Sequence, residues 1–320
     1  MKALRRLFWL VVLVGGGLAT LSWQRSVRGE AAWPAAGSFI EVDGTKLHYL
    51  ERGSGPPVVL LHGNPGSVED WRSVIEGLEG DHRVLAFDRP GHGYSERGRD
   101  DPGSPLTQAE LIAGALKKLG ISGAIFVGHS WGGGLSLALA LAHPELVRAV
   151  VLAEGSVYDD RTSRDPLYVA LDLPILGPSL AWTLAGPLGR PKIEGALAKA
   201  YAPDAVPEAY LRRSQDLWTR PGEARATAQD NLRRAEVLRA LGSRYSEIQA
   251  PITILAADQD RLSDPAGQGL ALHQALPRTR LVTLPKTGHM VPETRPAAVI
   301  EAVRTATHAA VMLEVDATPH

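Results

Sequence analysis

One stretch constrains this chain more than any other: Ala124-Ile125-Phe126-Val127-Gly128-His129-Ser130-Trp131-Gly132-Gly133-Gly134. Its first four residues are apolar and read as a buried strand. The small and aliphatic run from Leu135 to Leu141 reads as a helix. Between them stands Gly-x-Ser-x-Gly. A serine on so sharp a strand-to-helix turn projects its hydroxyl out of the sheet, and the crowded backbone there demands glycine at 128 and 132. The helix N-terminus behind Ser130 favours nearby negative charge, and the backbone N–H of Trp131 is placed to hold an oxyanion. Gly-x-Ser-x-Gly alone is a weak signal in a chain with 33 glycines. The flanking strand and helix make Ser130 a candidate nucleophile.

A serine hydroxyl needs a base, and the base needs an orienting acid. The best base is His289, in Gly288-His289-Met290-Val291-Pro292, just after the last expected strand. His62 and His92 sit in glycine-rich turns after earlier strands, and His129 abuts the serine but points off the same turn. The chain order serine, acid, histidine puts the acid between Ser130 and His289. Asp260, after the strand Ile252 to Ala256, is the first choice; Asp258 and Glu154 are alternatives. An oxyanion hole needs two backbone N–H groups. Trp131 supplies one, and Asn64 in His62-Gly63-Asn64-Pro65-Gly66, after the strand Pro57 to Leu61, supplies the other.

The rest of the chain alternates strands and helices. A hairpin turns at Asp43-Gly44. Further strands are expected at Arg83 to Phe87, Val147 to Ala153 and Arg280 to Leu284. Helices are expected at Val68 to Leu78, from a capping box at Thr107 to Glu110 through to Leu119, at Pro265 to Leu276, and at Pro296 to Leu313. Such alternation means a parallel sheet with helices on both faces. The rhythm stops from about Gly155 to Ser246, where helical pieces such as Glu208 to Trp218 and Glu223 to Leu241 lie between proline breaks. The expected organisation is therefore a core of residues 38–154 and 247–320 with a helical cap, 155–246, inserted into it.

Residues 1–23 stand apart. Lys2, Arg5 and Arg6 precede about fifteen apolar residues, Leu7 to Leu21, the pattern of an uncleaved signal anchor or a cleaved signal peptide. Arg5-Arg6-Leu7-Phe8 loosely resembles a twin-arginine export signal. Positive charge before the apolar run places the catalytic body on the far side of a membrane, anchored or exported; Arg25 and Arg28 behind the run weaken that orientation. Residues 24–37 read as a linker. The formal net charge of −1 gives no sign of a nucleic-acid partner, and the absence of cysteine excludes disulfides, thiol catalysis and thiolate metal sites.

From about Phe39 onward the chain resembles the α/β-hydrolase fold superfamily, in its capped esterase and epoxide-hydrolase-like branch. The carrying motifs are His62-Gly63-Asn64-Pro65-Gly66, Asp88-Arg89-Pro90-Gly91-His92-Gly93, Gly128-His129-Ser130-Trp131-Gly132, Asp260 and Gly288-His289. The resemblance implies an eight-stranded, mostly parallel sheet, a cap after the sixth strand lying over Ser130, loop bracing by Asp88, and no cofactor or metal. Epoxide hydrolases and haloalkane dehalogenases carry aspartate where this chain has Ser130, and a serine hydroxyl suits acyl chemistry instead. The expected activity is a Ser-His-Asp carboxylesterase acting on a small to medium hydrophobic ester through an acyl-enzyme. Carbon–carbon bond hydrolysis and prolyl-iminopeptidase-like aminopeptidase activity are the alternatives on the same triad. A non-catalytic binding protein is disfavoured because all three triad members are present. The apolar cap, with Leu173 to Pro178, Trp182 and Trp218, suggests a pocket for an apolar substrate group.

Overall fold

The structure, a computed structural model, describes residues 1–98, 101, 103–158 and 165–316; residues 159–164 of the expected cap and 317–320 lie outside them. Eight strands form one sheet: β1 (Ser38–Val42), β2 (Thr45–Arg52), β3 (Pro57–Leu61), β4 (Arg83–Phe87), β5 (Ala124–His129), β6 (Val147–Ala153), β7 (Ile252–Ala257) and β8 (Arg280–Leu284). Their spatial order is β1-β2-β4-β3-β5-β6-β7-β8. Only the first two pairings, β1 with β2 and β2 with β4, are antiparallel; the rest are parallel. β3 and β5 are continuous runs of buried residues because both faces of a parallel sheet are covered.

Counting helices in chain order, α1 is Lys2–Ala32, α2 Arg72–Leu78, α3 Pro105–Lys118 and α4 Trp131–Ala142. α9 is Gly269–Ala275, α10 Val291–Thr294 and α11 Pro296–Asp316. One face of the sheet packs against α3, α4 and α9, around Ile112, Leu116, Leu135, Leu139 and Leu272. The other packs against α2 and α11, around Val74, Leu78, Val299 and Val303. Between β6 and β7 lies a helical cap of α5 (Pro166–Asp172), α6 (Leu176–Tyr201), α7 (Glu208–Leu217) and α8 (Pro221–Gly242).

Several local expectations give way to the structure. α3 begins at Pro105 with Ser104 as its N-cap, the Ser104 hydroxyl accepting from the Leu106 N–H, so the Thr107 box is already inside the helix. The helix expected from Pro265 is a 3-10 turn followed by α9, and that expected from Val68 is a 3-10 turn followed by α2. Pro187 and Pro191 do not break α6, which runs through both. The largest difference is at the N-terminus. Residues 24–37, read as a linker, are helical as far as Ala32 in continuity with the apolar segment. Packing explains it. Gly29 lies against Asp216 of α7, the Trp33 indole N–H bonds the Asp216 carboxylate at 3.3 Å, and Glu30 pairs with Arg220 at 3.1 Å. The apolar part of α1 is exposed, and by length and composition the helix is sufficient to cross a membrane.

Candidate active site

The C-terminal ends of the strands carry the site. β5 ends at His129 and α4 starts at Trp131, so Ser130 alone makes the turn, with φ +50° and ψ −120°. A non-glycine residue held there stores on the order of 1–3 kcal/mol of strain. Neighbouring backbone holds it. The Ser130 N–H donates to the Glu154 carbonyl at 3.2 Å, and its carbonyl accepts from Ser156 at 2.8 Å and Gly133 at 2.9 Å. A Cβ at residue 128 would meet the Gly132 carbonyl at 2.3 Å, and one at residue 132 would meet the Leu61 carbonyl at 2.1 Å. Both glycines are therefore imposed by backbone contact.

His289, in the loop between β8 and α10, lines one cavity of about 310 Å³ together with Ser130, Asn64 and Trp218. Its Nδ1 bonds Asp260 Oδ2 at 2.6 Å. Asp260 is itself fixed by the Leu262 N–H at 2.7 Å and by the Ser263 hydroxyl at 2.5 Å. Burial works against charge on both partners. On the carboxylate the His289 bond and attraction win, so Asp260 is held below its ordinary range; the same bond raises His289 above 6.5. With Nδ1 engaged, Nε2 is the nitrogen for proton exchange in the cavity.

The other two acids do different work. The Asp258 carboxylate accepts from the Thr287 N–H at 3.1 Å and braces the loop that precedes His289. Glu154 is buried, accepts from the Ala257 N–H at 2.5 Å, and is pushed up to about 7, chiefly by burial. The neighbouring His129 is pushed down to about 3 by burial and by His289, and its Nε2 is bonded to the His289 carbonyl at 2.9 Å. It is a neutral brace.

The Gly63–Asn64 turn passes over the serine: a Cβ on Gly63 would lie 3.1 Å from the Ser130 Cβ. Trp131, as the first residue of α4, carries one of the N–H groups that a helix leaves unbonded. The Asn64 side chain donates to the Thr227 carbonyl of α8 at 3.2 Å, tying this turn to the cap. Of the two cap tryptophans, Trp218 lines the cavity. Trp182 does not: it is 39% exposed and faces a recess formed with Ser26 and Glu30 of α1 and with Arg220. The expectation for Trp182 is thereby corrected. Trp182 lies on α6 and Trp218 at the C-terminal cap of α7, and only the packing of α6 against α1 turns Trp182 away.

Sequence reasoning missed a buried charge cluster behind the turn. Arg89 donates to the His62 carbonyl at 3.0 Å and the Gly63 carbonyl at 2.8 Å, and its guanidinium lies 4.0 Å from the centre of the Trp131 ring. It is ion-paired with Asp230 of α8 at 2.8 Å, and Asp230 also meets His92 and Arg97. One side chain thus steadies both turns expected to hold an oxyanion and fastens them to the cap. The signal was present in the Asp88-to-Gly93 motif. Asp88 does brace loops, accepting from the Val68 and Tyr94 N–H groups at 2.7 and 2.8 Å. Asp70 was also missed: it lines the cavity, accepts from the Tyr210 hydroxyl at 3.1 Å, and is pushed up to about 7 by burial.

Beside the cavity, and sharing Pro65, Ala196 and Trp218 with it, is an apolar recess between α5, α6 and α8, lined by Leu167, Leu171 and Ala185 among others. Lys192 at its wall is ion-paired with Asp165. Among the described residues, no group of three or more His, Asp or Glu side chains is arranged to hold a metal ion.

Comparison with known proteins identifies the fold. The family profile for the alpha/beta hydrolase fold matches residues 56–296. The chain belongs to the α/β-hydrolase family. Among curated relatives, the uncharacterized hydrolase YugF of Bacillus subtilis is 29% identical over 263 residues, 81% of this chain and 93% of YugF. Bifunctional epoxide hydrolase 2 of Rattus norvegicus is 32% identical over 54% of this chain but only 30% of its own length, so the chain spans less than a third of that relative. The 2-hydroxymuconate semialdehyde hydrolase of Pseudomonas sp. CF600 is 39% identical over 37% of this chain and 43% of that enzyme. Among solved structures, Cfl2 of Burkholderia cenocepacia superposes with a TM-score of 0.70 at 25% identity, over 83% of this chain and 94% of Cfl2. A membrane phospholipase A shares the fold with a TM-score of 0.69 at 22% identity, over 97% of this chain and 99% of that one.

Proposed function

We propose that this α/β-hydrolase is a serine esterase that cleaves carboxylic esters of apolar acyl groups through an acyl-enzyme. The observation that carries the reading is the Ser130 turn opening on the same cavity as His289, whose Nδ1 is held at 2.6 Å by Asp260. Ser130 Oγ attacks the ester carbonyl while His289 Nε2 takes its proton, and Asp260 stabilises the imidazolium and fixes its tautomer. The oxyanion is received by the backbone N–H groups of Asn64 and Trp131. Collapse of the tetrahedral species breaks the bond to the alcohol, which leaves with the proton from His289. Water, deprotonated by His289, then hydrolyses the acyl-enzyme and returns Ser130. The apolar recess past Trp218 receives the acyl chain.

A series of p-nitrophenyl esters on the full chain tests this. Turnover should need Ser130 and should favour acyl chains that reach the recess over acetyl. Turnover of a ring-fission dienone without any ester hydrolysis would move the reaction to carbon–carbon cleavage. We propose also that the apolar part of α1, to about Leu21, anchors the protein in a membrane with the hydrolase body on the extracytoplasmic side. Recovery of the intact full-length chain wholly in the soluble fraction of its host would overturn that.

A further inference from the structure

We propose that the α5–α6 corner of the cap, Leu173 to Leu176, is a lipid-contact surface that rests in the bilayer entered by α1. The proposal builds on the anchor reading above and not on the esterase reading. Its starting point is the lack of any spacer: α1 runs without interruption from its apolar part into the stretch packed on the cap. The cap therefore sits at the membrane surface.

The register of α1 against α6 decides which side of the cap faces the lipid. Gly29 lies against Asp216, with which Arg190 of α6 also pairs, Arg25 reaches Gly186, and Ser26 shares a recess with Trp182. Moving back along α1 from Gly29 to Arg25 thus follows α6 back from Arg190 to the stretch from Gly186 to Trp182, so the two helices point the same way. α6 continues past Trp182 to Leu176. At 1.5 Å per residue, the corner before it projects about 10 Å further towards the apolar part of α1.

Composition at the corner fits lipid. No charged residue occurs from Leu173 to Gly189. Leu173, Ile175 and Leu176 are exposed, Ile175 at 86%, as is Val169 on α5. The flanking Asp172 carboxylate is paired with Arg233 at 3.1 Å, and Arg190 with Asp216 at 3.4 Å. A single exposed leucine is ordinary; a cluster of large aliphatic residues where an apolar helix leaves the body marks a contact surface. The recess proposed for the acyl chain is lined by Leu167, Leu171 and Ala185 of the same two helices. A lipid-dissolved ester would reach Ser130 with little exposure to water.

The chain has no cysteine, so one introduced thiol labels one site. Full-length Ile175→Cys, Leu13→Cys and Lys117→Cys, each carrying an environment-sensitive fluorophore, would be reconstituted in phosphatidylcholine vesicles with and without brominated acyl chains. Lys117 is exposed at the end of α3, by the N-terminal edge of the sheet opposite the cap. The expected result is several-fold quenching at positions 13 and 175 and none at 117. Quenching at 13 with a water-like signal at 175 would overturn the contact surface while sparing the anchor; no quenching at 13 would overturn both. Ile175→Asp should leave hydrolysis of dissolved p-nitrophenyl acetate unchanged and slow that of a vesicle-embedded long-chain ester about tenfold. A vesicle-ester rate in Ile175→Asp equal to that of the unaltered chain would count against lipid contact at the corner.

Discussion

Two of the buried histidine–aspartate pairs among the described residues bind through the same ring nitrogen, and of these two only His289–Asp260 opens on the cavity that Ser130 lines, while His48–Asp88 does not. His289–Asp260 is 2.6 Å long and His48–Asp88 is 2.7 Å. Both use Nδ1. In both, burial disfavours the cation and the carboxylate outweighs it, so both imidazoles are raised above 6.5. The difference is the second nitrogen. His48 Nε2 is bonded to the Ala36 carbonyl at 2.6 Å, which fastens the chain leaving α1 onto β2. His289 keeps that edge for the cavity it shares with Ser130. A histidine–aspartate pair is thus a fastener when both nitrogens are committed, and the uncommitted edge of His289 is what suits it to the proposed proton relay.

The sharpest way to break the comparison is to disable the relay. Ser130→Ala should lower ester turnover on the order of 10⁴- to 10⁶-fold, and Asp260→Asn about 10⁴-fold, in a p-nitrophenyl ester assay. Undiminished activity in Ser130→Ala would end the esterase reading. Disabling the fastener should do the reverse. His48→Gln should leave kcat within about twofold and lower the free energy of unfolding by about 1–3 kcal/mol in a urea titration. A kcat loss like that of Asp260→Asn would erase the distinction.

The two pairs also respond differently to pH. His289 must be neutral to accept the Ser130 proton, so kcat/KM should fall on acidification with a midpoint above 6.5. His48 has a folded pKa above its unfolded value. Its contribution to stability is complete below about 6.5 and is lost as pH rises through the raised folded value. The cost of His48→Gln should therefore be larger at about pH 6 than at about pH 9; the opposite trend would show that His48 is neutral in the fold.

Smaller effects are expected around the relay. Glu154→Gln and Asp258→Asn should each change kcat by less than about tenfold, since both acids hold backbone N–H groups and an amide oxygen can do the same. If Glu154→Gln proved the crippling change, Asp260 would lose its role. Finally, removing residues 1–21 should leave thermal stability and dissolved-ester turnover nearly unchanged. Removing residues 1–37 should lower the melting temperature, because it strips Trp33 from the cap and Ala36 from His48.

The sequence by itself determined the serine turn, because a strained strand-to-helix corner with backbone at 2.1–2.3 Å tolerates only glycine at 128 and 132. It also determined the parallel sheet, through unbroken apolar runs such as Val58 to Leu61, and the candidacy of Asp260 and His289, through chain order. These rest on local sterics and on periodicity, which a linear string records. Tertiary structure decided the rest. Trp218 and Trp182 look alike in the string, and only helix packing sends one to the cavity and the other towards α1. Gln24 to Ala32 is too polar to announce a docked helix, and its order comes from Asp216 and Arg220, far along the chain. Pro187 and Pro191 argue locally against α6, which neighbouring helices keep whole. The Arg89–Asp230 pair joins residues 141 apart. Such a buried charge gains its stabilising partner only when the chain closes on itself, so no local pattern encodes it.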